Sequence, residues 1–517
     1  RLLKITDKDT NLLAGYEYDA DGRLIAMLDA KGQRIELTHQ LEQNTEQVKD
    51  RLGRVTTYTY DDYGNVIKEV DALGNITTRT FNDRYDQLSE TDALGRTTTW
   101  TYDDKHNKLT ETNHLGQMTS YSYDSNGKLL TETDHTGRIV SNNRYDSSGQ
   151  LTELKNAAGQ TTSMSYGSSG LTGLTDVAGH TTSYVYTGDN LTETTDPTGR
   201  KTRYSYDANK RKLSETVIYT DGSGMERQLQ TRFEYDTKGR LVKQIDADGG
   251  ISTKTYGTAD EVLSETDRFG NTTTYQYDAN KKLIQTTYAD GTSSKTVYDA
   301  EEQVLQETDR LGRVTQYEYD LAGRKTKTRL PNGAVLTIQY DAVGNILSET
   351  NALGQSTRHE YDALNRKVKT TDSLGNVYTI SYDELGRVSK ETDALGQVTQ
   401  HEYNALNQRI KTTYANGYSI QTEYNALGQK IAVTDELSRR TQYQYDLGGR
   451  LTQVTDPMGQ STRYSYDNAG HKLSQTDALG RVTRWEYDAL GRETKRILPL
   501  GQSSSQSYDS NGLLSQS

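Results

Sequence analysis

The sequence predicts an all-β protein in which tandem repeats form one long antiparallel ribbon of strands. Three observations lead to this prediction: a repeat of about 21 residues, two turn signals in each repeat, and strands in which Thr and Tyr alternate with polar residues. The composition agrees. Only 32% of the residues are hydrophobic, which is too few to fill the thick core of a conventional 517-residue chain.

The repeat is marked by an anchor Tyr that is usually followed by Asp. Even steps of about 21 residues separate the anchor positions from Tyr18 to Tyr123 and again from Tyr235 to Tyr508. Between these two stretches the steps are uneven, and the last is the longest, with anchors at Tyr145, Tyr166, Tyr186, Tyr206 and Tyr235. We predict a single array of about 24 units over residues 1–517, irregular at 123–235. Because both ends fall inside the repeat pattern, we expect a fragment without its native N-terminal and C-terminal domains.

Each unit carries two turn signals with Asp at the first position and Gly at the fourth, as in Asp61–Gly64 and Asp92–Gly95. Asp at the first position caps a type I turn through its side chain, and Gly at the fourth tolerates a positive φ. Asn365 and Asn407 replace this Gly, and Asn also enters the left-handed region at low cost. The predicted structural anchors of the repeat are Tyr60, Asp61, Gly64, Tyr102, Tyr123, Tyr277, Tyr319, Asp320, Gly323, Tyr361, Tyr382, Asp383, Gly386, Tyr445, Tyr466 and Tyr487.

Two strands separate these turns in each unit. In the first strand Thr315, Tyr317 and Tyr319 share one face. The second strand has one dependable apolar position, seven residues after the anchor, as at Ile25 and Ile67. About 48 such strands must coil, because open twisted sheets rarely exceed ~10 strands without curling. A parallel β-solenoid with one coil per unit is the alternative, and the short hairpin turns favour the antiparallel ribbon.

Eight extra residues lie between the anchors Tyr206 and Tyr235 and contain the turn Asp221–Gly224. We predict an extended hairpin from Val217 to Phe233, with a docking element as the alternative, since long hairpins project from a surface and offer places for partners.

The composition excludes several classes of function. A net charge of −12 argues against a nucleic-acid-binding surface, and the absence of Cys excludes thiolate metal sites. No run approaches 18 apolar residues, so we predict no membrane-spanning helix. The Tyr rows, edged by Asp, Asn and Gln, could bind glycans, but a packing role explains better why Tyr recurs in nearly every unit.

The titratable residues do not form a recognisable catalytic or metal-binding motif. His359-Glu360 and His401-Glu402 resemble the start of a zinc-protease motif, yet the second His is missing, so exposed strand positions are predicted. The Asp-rich turns at Asp19 and Asp246 lack the Glu that closes a calcium-binding loop. We therefore predict no catalytic, cofactor-binding or metal-binding residues and no cofactor. An enzyme acting on polysaccharide would rest only on the abundance of Asp.

The segment Tyr382–Val388, followed by Thr392–Gly396, resembles the Rhs/YD repeat, as does Tyr487–Arg492. That family includes bacterial Rhs proteins, the C components of insecticidal toxin complexes, wall-associated repeat proteins and teneurins. The resemblance implies that the ribbon spirals into a hollow shell around a C-terminal toxin domain until delivery, often by type VI secretion. It also implies a bacterial protein that is secreted or exposed on the cell surface, with secretion-spike or adaptor proteins as partners.

Two features depart from the toxins, in which an Asp-Pro and Gly-Gly core motif follows the repeats and marks self-cleavage. Asp196-Pro197 and Asp456-Pro457 stand at ordinary turn positions without a following Gly-Gly, and Pro suits the second position of a turn. No toxin domain is recognised in this segment. The predicted function is structural encapsulation rather than catalysis, and a cell-surface adhesion or carbohydrate-binding repeat protein is the alternative.

Overall fold

The computed structural model describes residues 1–6, 12–509 and 513–516, which form 50 β-strands and one 3₁₀ turn, with no α-helix in those ranges. The strands are short because a turn follows almost every one. The strands are β1 Lys4–Thr6, β2 Leu12–Tyr18, β3 Leu24–Asp29, β4 Arg34–Gln40, β5 Thr45–Lys49, β6 Val55–Tyr60, β7 Val66–Val70, β8 Ile76–Phe81, β9 Gln87–Thr91, β10 Thr97–Tyr102, β11 Lys108–Thr112, β12 Met118–Tyr123, β13 Leu129–Thr133, β14 Ile139–Tyr145, β15 Leu151–Asn156, β16 Thr161–Gly167, β17 Gly170–Thr175, β18 Thr181–Thr187, β19 Asn190–Thr195, β20 Lys201–Tyr206, β21 Lys212–Thr220, β22 Glu226–Tyr235, β23 Leu241–Ile245, β24 Ile251–Tyr256 and β25 Val262–Thr266. They continue as β26 Thr272–Tyr277, β27 Leu283–Thr287, β28 Ser293–Tyr298, β29 Val304–Thr308, β30 Val314–Tyr319, β31 Lys325–Arg329, β32 Val335–Tyr340, β33 Ile346–Thr350, β34 Ser356–Tyr361, β35 Lys367–Thr371, β36 Val377–Tyr382, β37 Val388–Thr392, β38 Val398–Tyr403, β39 Arg409–Thr413, β40 Ser419–Tyr424, β41 Lys430–Thr434, β42 Arg440–Tyr445, β43 Leu451–Thr455, β44 Ser461–Tyr466, β45 Lys472–Thr476, β46 Val482–Tyr487, β47 Glu493–Ile497, β48 Ser503–Ser505, β49 Ser507–Tyr508 and β50 Leu514–Gln516. The 3₁₀ turn is Leu41–Gln43.

Strands β1 to β48 form one antiparallel sheet in which each strand pairs with its neighbours in sequence. Strands β49 and β50 form a separate pair. A meander of this kind confirms the predicted antiparallel ribbon. The parallel solenoid is wrong, because every pairing among the described strands is antiparallel and consecutive strands are joined by tight turns.

The turns have the predicted chemistry. In the turn Asp320–Gly323, the Asp carboxylate accepts hydrogen bonds from the backbone N–H groups of Ala322 and Arg324, each at 2.9 Å. The N–H of Gly323 donates to the carbonyl of Asp320 at 3.0 Å, with φ of 79° at the Gly. Asn365, which replaces this Gly, has φ of 61°. The residue types at positions one and four therefore fix the shape of the turn.

A β-bulge accompanies the anchor Tyr in most units. Tyr60 pairs with Val66 while Thr59 pairs with Lys68, which leaves Ile67 as the extra residue. The dependable apolar position of the second strand is therefore the bulged residue. Because a bulge bends its strand and increases the local right-handed twist, its regular recurrence gives the ribbon a built-in curvature.

The ribbon coils so that residues about 250 to 270 positions apart meet. Arg51 pairs with Glu301 across 250 positions, and Arg96 pairs with Asn365 across 269. We call residues 12–270 the first winding and residues 271–509 the second. The turns after the anchor Tyr line one edge of the ribbon, the Tyr-Asp edge, and the other turns line the Thr-Asp edge. The predicted coiling of the ribbon is confirmed.

Few side chains are buried. Among the described residues the buried hydrophobic ones are Ala26, Ile218, Tyr219, Ala432 and Trp485, and no large side chain is completely buried. The ribbon is thus held by its backbone ladder, its turns and the contacts between windings rather than by a thick core, as the low hydrophobic content predicts.

Candidate functional site: the ribbon edges and the seam between windings

The hydroxyl of an anchor Tyr reaches back to the preceding unit. Tyr319 Oη donates to the backbone carbonyl of Val304 at 2.8 Å, and Val304 is the residue paired with the preceding anchor, Tyr298, beside its bulge. The same bond, to the carbonyl fifteen residues earlier, is made by the predicted anchors Tyr123, Tyr361, Tyr382, Tyr445, Tyr466 and Tyr487. Each such Tyr therefore ties two units together and satisfies a carbonyl next to a bulge.

Three further predicted anchors occupy the same place at the end of their strands: Tyr60, Tyr102 and Tyr277. Burial raises the pKa of Tyr60, Tyr102 and Tyr277 above the usual value for a tyrosine. Tyr317, two positions before an anchor, donates its hydroxyl to Glu307 at 2.6 Å, and this hydrogen bond together with burial raises the pKa of Tyr317 to about 12. The Tyr317 hydroxyl is therefore a hydrogen-bond donor and neutral at physiological pH.

An arginine links each of several Tyr-Asp turns to the next. Arg324 Nε donates to Asp320 in its own turn at 2.8 Å, and its guanidinium carbon lies 4.8 Å from the ring centre of Tyr340. Arg324 Nη1 also donates to the carbonyl of Asp341 at 2.7 Å. Arg387 repeats these contacts with Tyr403 and the carbonyl of Asn404. The Tyr-Asp edge is therefore a ladder of ion pairs and cation–π contacts.

The carboxylates of the anchor turns are used by the turns themselves. Asp61 accepts from the side chain of Asn65 and from the backbone of Tyr63 and Asn65. The hydrogen bond from the Asn65 side chain is the main reason why the pKa of Asp61 lies below its usual value. Gly64 and Gly386 have φ of 87° and 78°. Asp383 pairs with Arg387 at 2.7 Å. These groups are engaged as caps rather than directed at a common point where a substrate could bind.

The two His-Glu pairs differ from the prediction in one respect. His401 is only 8% exposed, and its Nδ1 lies 3.2 Å from the hydroxyl of Thr412. His359 lies 3.1 Å from the hydroxyl of Thr370 in the same arrangement. The prediction that both occupy exposed positions is wrong, because they stand two residues before an anchor, in the row that holds Tyr317. Within the described ranges, no three His, Cys, Asp or Glu side chains are grouped so that they could hold a metal ion.

The seam is the contact between the Thr-Asp edge of the first winding and the Tyr-Asp edge of the second. The carboxylate of Glu301 accepts a hydrogen bond from the backbone N–H of Arg51 at 2.6 Å. Arg96 Nη1 donates to the carbonyl of Ala363 at 3.0 Å and to Asn365 Oδ1 at 2.8 Å. Further seam contacts are Asn280 with Asp29, Lys31 with Asp278, and Arg138 with the carbonyl of Ala405. The seam thus joins arginines and lysines to carboxylates, amides and turn carbonyls.

The predicted extended hairpin is confirmed as strands β21 and β22, of nine and ten residues. It crosses the seam: the N–H of Thr220 donates to Asn468 Oδ1 at 2.6 Å, and the ring of Tyr219 packs edge-on against His471 at 5.7 Å. Tyr219 is only 2% exposed. A cavity of 540 Å³ lies between the hairpin tip and the strands around Trp485. The hairpin therefore docks within the chain and fastens the two windings.

These features define a class of protein: a β-ribbon shell built from short repeats. The sequence model of the RHS Repeat matches residues 44–77, 186–224, 258–293, 298–335, 340–377, 382–419, 424–457, 448–474 and 471–503, which together make up more than half of the chain. The chain belongs to the RHS repeat family.

Solved structures of toxin-complex proteins have a similar fold. The crystal structure of TcdB2-TccC3 has a TM-score of 0.73 at 13% identity, over 97% of this chain and 34% of that chain. The structure of TcdB2-TccC3-TEV has a TM-score of 0.65 at 12% identity, over 98% of this chain and 37% of that one. The chain therefore spans about a third of the length of these neighbours, and at such identity the likeness shows the fold. No curated protein matches the sequence significantly.

No helix in the part of the chain that the structure describes has the length and apolar character needed to cross a membrane.

Proposed function

We propose that this chain is part of the wall of an encapsulating shell that encloses a C-terminal toxin domain until delivery. The observation that carries the proposal is the seam, because it converts an open ribbon into stacked windings. A ribbon without such contacts would leave both edges open, and anything beside it would stay accessible to proteases and to other proteins.

The wall acts by exclusion rather than by chemistry. Its backbone ladder runs without interruption from β1 to β48, and its seam is fixed by ion pairs such as Arg51 with Glu301. In this role the chain needs no catalytic residue and no cofactor. The Tyr hydroxyls and Asp carboxylates described above stabilise the wall, and we propose that the sixteen predicted anchors serve this purpose.

The proposal extends to delivery. A toxin that is held inactive during synthesis acts after export, so we propose a secreted or surface-exposed bacterial protein. Secretion-spike or adaptor proteins are the proposed partners, and type VI secretion is the proposed route. The support is the membership of the RHS repeat family and the resemblance of the repeats to those of exported toxins.

Limited proteolysis tests the enclosure. A protease-sensitive reporter domain is fused after Ser517, and its cleavage is followed beside the same reporter alone. We expect the fused reporter to be cleaved at least about tenfold more slowly, because the protease cannot reach a domain held behind a closed wall. Cleavage at the rate of the free reporter, with the wall itself intact, would contradict the proposal.

A matched pair of variants shows whether the seam causes the protection. Arg96→Gln removes the two seam hydrogen bonds that Arg96 Nη1 donates, whereas Arg439→Gln changes the corresponding turn position of the second winding, where the side chain is 60% exposed. We expect faster cleavage of the reporter in Arg96→Gln and unchanged cleavage in Arg439→Gln. Equal cleavage in both variants would show that the seam does not close the wall.

A cell-surface adhesion or carbohydrate-binding role is the second proposal. It is favoured by Tyr63 and Tyr85 on the Tyr-Asp edge of the first winding, which are 66% and 60% exposed with ring centres 5.9 Å apart. Exposed aromatic faces can stack on sugar rings. Binding of the chain to a glycan array that is lost in Tyr63→Ala would support the carbohydrate-binding role, and absence of binding to any glycan would exclude that role.

A further inference from the structure

The cavity at the hairpin tip is built by both windings. Its volume of 540 Å³ lies within the range of about 300–1,000 Å³ that is typical of small-molecule sites. The hairpin contributes Tyr219, Asp221 and Arg227 to its wall, and the second winding contributes His471 and Trp485 among others. Because the hairpin and these strands of the second winding contact each other directly, the cavity lies at the seam and not on an outer edge of the ribbon.

Two buried aromatic residues of the cavity wall carry polar groups without a partner. Tyr219 is 2% exposed and Trp485 is 8% exposed. Within the described residues, neither the hydroxyl of Tyr219 nor the indole N–H of Trp485 makes a hydrogen bond, and neither group is completely shielded from solvent. Buried Tyr and Trp side chains usually have a partner for these groups, as the anchor Tyr319 does. A molecule that enters the cavity can therefore bind to both.

Charged side chains of both signs stand in the same wall. Arg484 and Glu486 are exposed, and the guanidinium of the one and the carboxylate of the other form no ion pair or hydrogen bond with any described residue. Asp221 and Arg227 pair with each other at 2.6 Å. The cavity thus offers a free charged donor and a free charged acceptor in addition to the two aromatic groups.

This set of groups selects a class of ligand. The lining contains four carboxylates and two guanidinium groups, which argues against an anion such as phosphate. A cation would leave the donors of Tyr219, Trp485 and Arg484 unused. A neutral molecule with several hydroxyl groups uses donors and acceptors alike, because each hydroxyl can both donate and accept. The apolar surfaces of Leu473 and Tyr487, which also line the cavity, can pack against its C–H groups.

We propose that this cavity binds a neutral sugar of one or two rings. The hydroxyl of Tyr219 and the indole N–H of Trp485 donate to sugar oxygens, and the carboxylate of Glu486 accepts from a sugar hydroxyl. A bound sugar touches both windings, so it also holds the hairpin against the second winding. The site is separate from the exposed pair Tyr63 and Tyr85, and it does not depend on an enclosed toxin.

Tryptophan fluorescence measures the binding directly. The chain contains two Trp residues, so Trp100→Phe leaves Trp485 as the single reporter. Glucose, galactose, N-acetylglucosamine, cellobiose and lactose are titrated separately into this variant of the whole chain. We expect at least one of these sugars to change the emission of Trp485 in a saturable way. The same sugar should raise the melting temperature, since a ligand that binds the folded state stabilises it.

Substitutions in the single-Trp chain test the assigned roles. Tyr219→Phe removes the hydroxyl but keeps the ring that packs against His471, so the fold should be retained. The dissociation constant of the sugar should rise about three- to tenfold in Tyr219→Phe and in Glu486→Gln, because each loses one hydrogen bond to the ligand. The control Tyr443→Phe removes a hydroxyl that lies outside the cavity and makes no hydrogen bond with any described residue, and its affinity should be unchanged.

Three outcomes would overturn the proposal. The first is that none of the five sugars changes the emission of Trp485. The second is that Tyr443→Phe weakens binding as much as Tyr219→Phe does. The third is that only inorganic phosphate or tetramethylammonium, titrated in the same way, changes the emission, since the cavity would then select a charged ligand.

Discussion

The guanidinium of Arg324 lies 4.8 Å from the ring centre of Tyr340, one repeat unit further along the ribbon. The same side chain pairs with Asp320 behind it and donates to the carbonyl of Asp341 ahead of it. One arginine therefore connects two successive turns of the same edge, which are separated along the chain by strands β31 and β32. The stiffness of the Tyr-Asp edge rests on such links.

Replacement of Arg324 by Gln should loosen this edge locally. Loss of the ion pair, the cation–π contact and the carbonyl hydrogen bond should cost about 1–2 kcal/mol, because the groups are only partly exposed. We expect faster amide hydrogen exchange in the turns at 320–324 and 341–345. The control Arg313→Gln changes an arginine that is 62% exposed and pairs with Asp309 in its own turn, and it should leave exchange outside that turn unchanged.

The anchor hydroxyl can be removed without removing the ring. In Tyr361→Phe the carbonyl of Ile346 loses its donor, and a partly buried carbonyl without a partner should cost about 1 kcal/mol. We expect faster hydrogen exchange around the bulge that follows the preceding anchor, Tyr340. Tyr418→Phe, at a ring that is 53% exposed in a turn, is the matched control. Equal exchange in both variants would show that the anchor hydroxyl contributes nothing.

The hairpin of β21 and β22 should hold the windings together. Tyr219 is buried against His471, so Tyr219→Ser leaves a cavity and removes an aromatic contact, at a cost of about 2–4 kcal/mol. We expect a lower melting temperature and protease cleavage at the hairpin tip, 221–225. The control Met225→Ser lies at the tip and is 57% exposed. A melting temperature unchanged by Tyr219→Ser would contradict the fastening role.

The turn carboxylates should make the ribbon sensitive to acid. Burial alone would raise the pKa of Asp134, but hydrogen bonds from Thr136, Arg138 and the turn backbone lower it to about 2, against 3.8 for a free group. A carboxyl whose folded pKa is depressed stabilises the fold above its unfolded pKa, and this stabilisation is lost as the pH falls through its folded pKa. The loss should therefore occur between about pH 4 and pH 2.

The Asp134→Asn variant isolates this contribution. At neutral pH it should be less stable by about 1 kcal/mol, allowing for solvent screening, and the difference should vanish towards pH 2. Thermal melting of both proteins at several pH values measures the difference. A constant difference at all pH values would mean that Asp134 stabilises the turn by its shape alone.

Local features of the fold could be predicted from the sequence because local residues determine them. Asp at the first turn position, Gly or Asn at the fourth, and the alternation of Thr and Tyr fix the turns and strands, and these were enough to predict an antiparallel ribbon. The apolar position at Ile67 can be predicted from the sequence, but the β-bulge there cannot. A bulge is a shift in the register of two paired strands, and no residue type in either strand alone indicates it.

The seam could not be predicted in the same way. Arg96 meets Asn365 only because the twist accumulates over about twelve units, and a small error in twist per strand would change the partner entirely. Arg96 and Arg439 both follow a turn that begins with Asp, so nothing local reveals that one is covered and the other open. The burial of His401 could not be predicted for a related reason. Its place in the buried row follows from its position two residues before an anchor Tyr, and the residue type alone does not show it.

The seam also limits how the length of this chain can change. Turns of the first winding rest on turns of the second, and turns of one kind recur at intervals of about 21 residues in the regular parts of the array. Gain or loss of one whole unit between the partners would shift each turn onto the next equivalent one and leave the contacts chemically alike. An insertion of a few residues in a strand would instead place turns opposite strands. We therefore expect viable length variants of this wall to differ by whole units, and extra residues to be tolerated where they extend a hairpin past the edge, as β21 and β22 do.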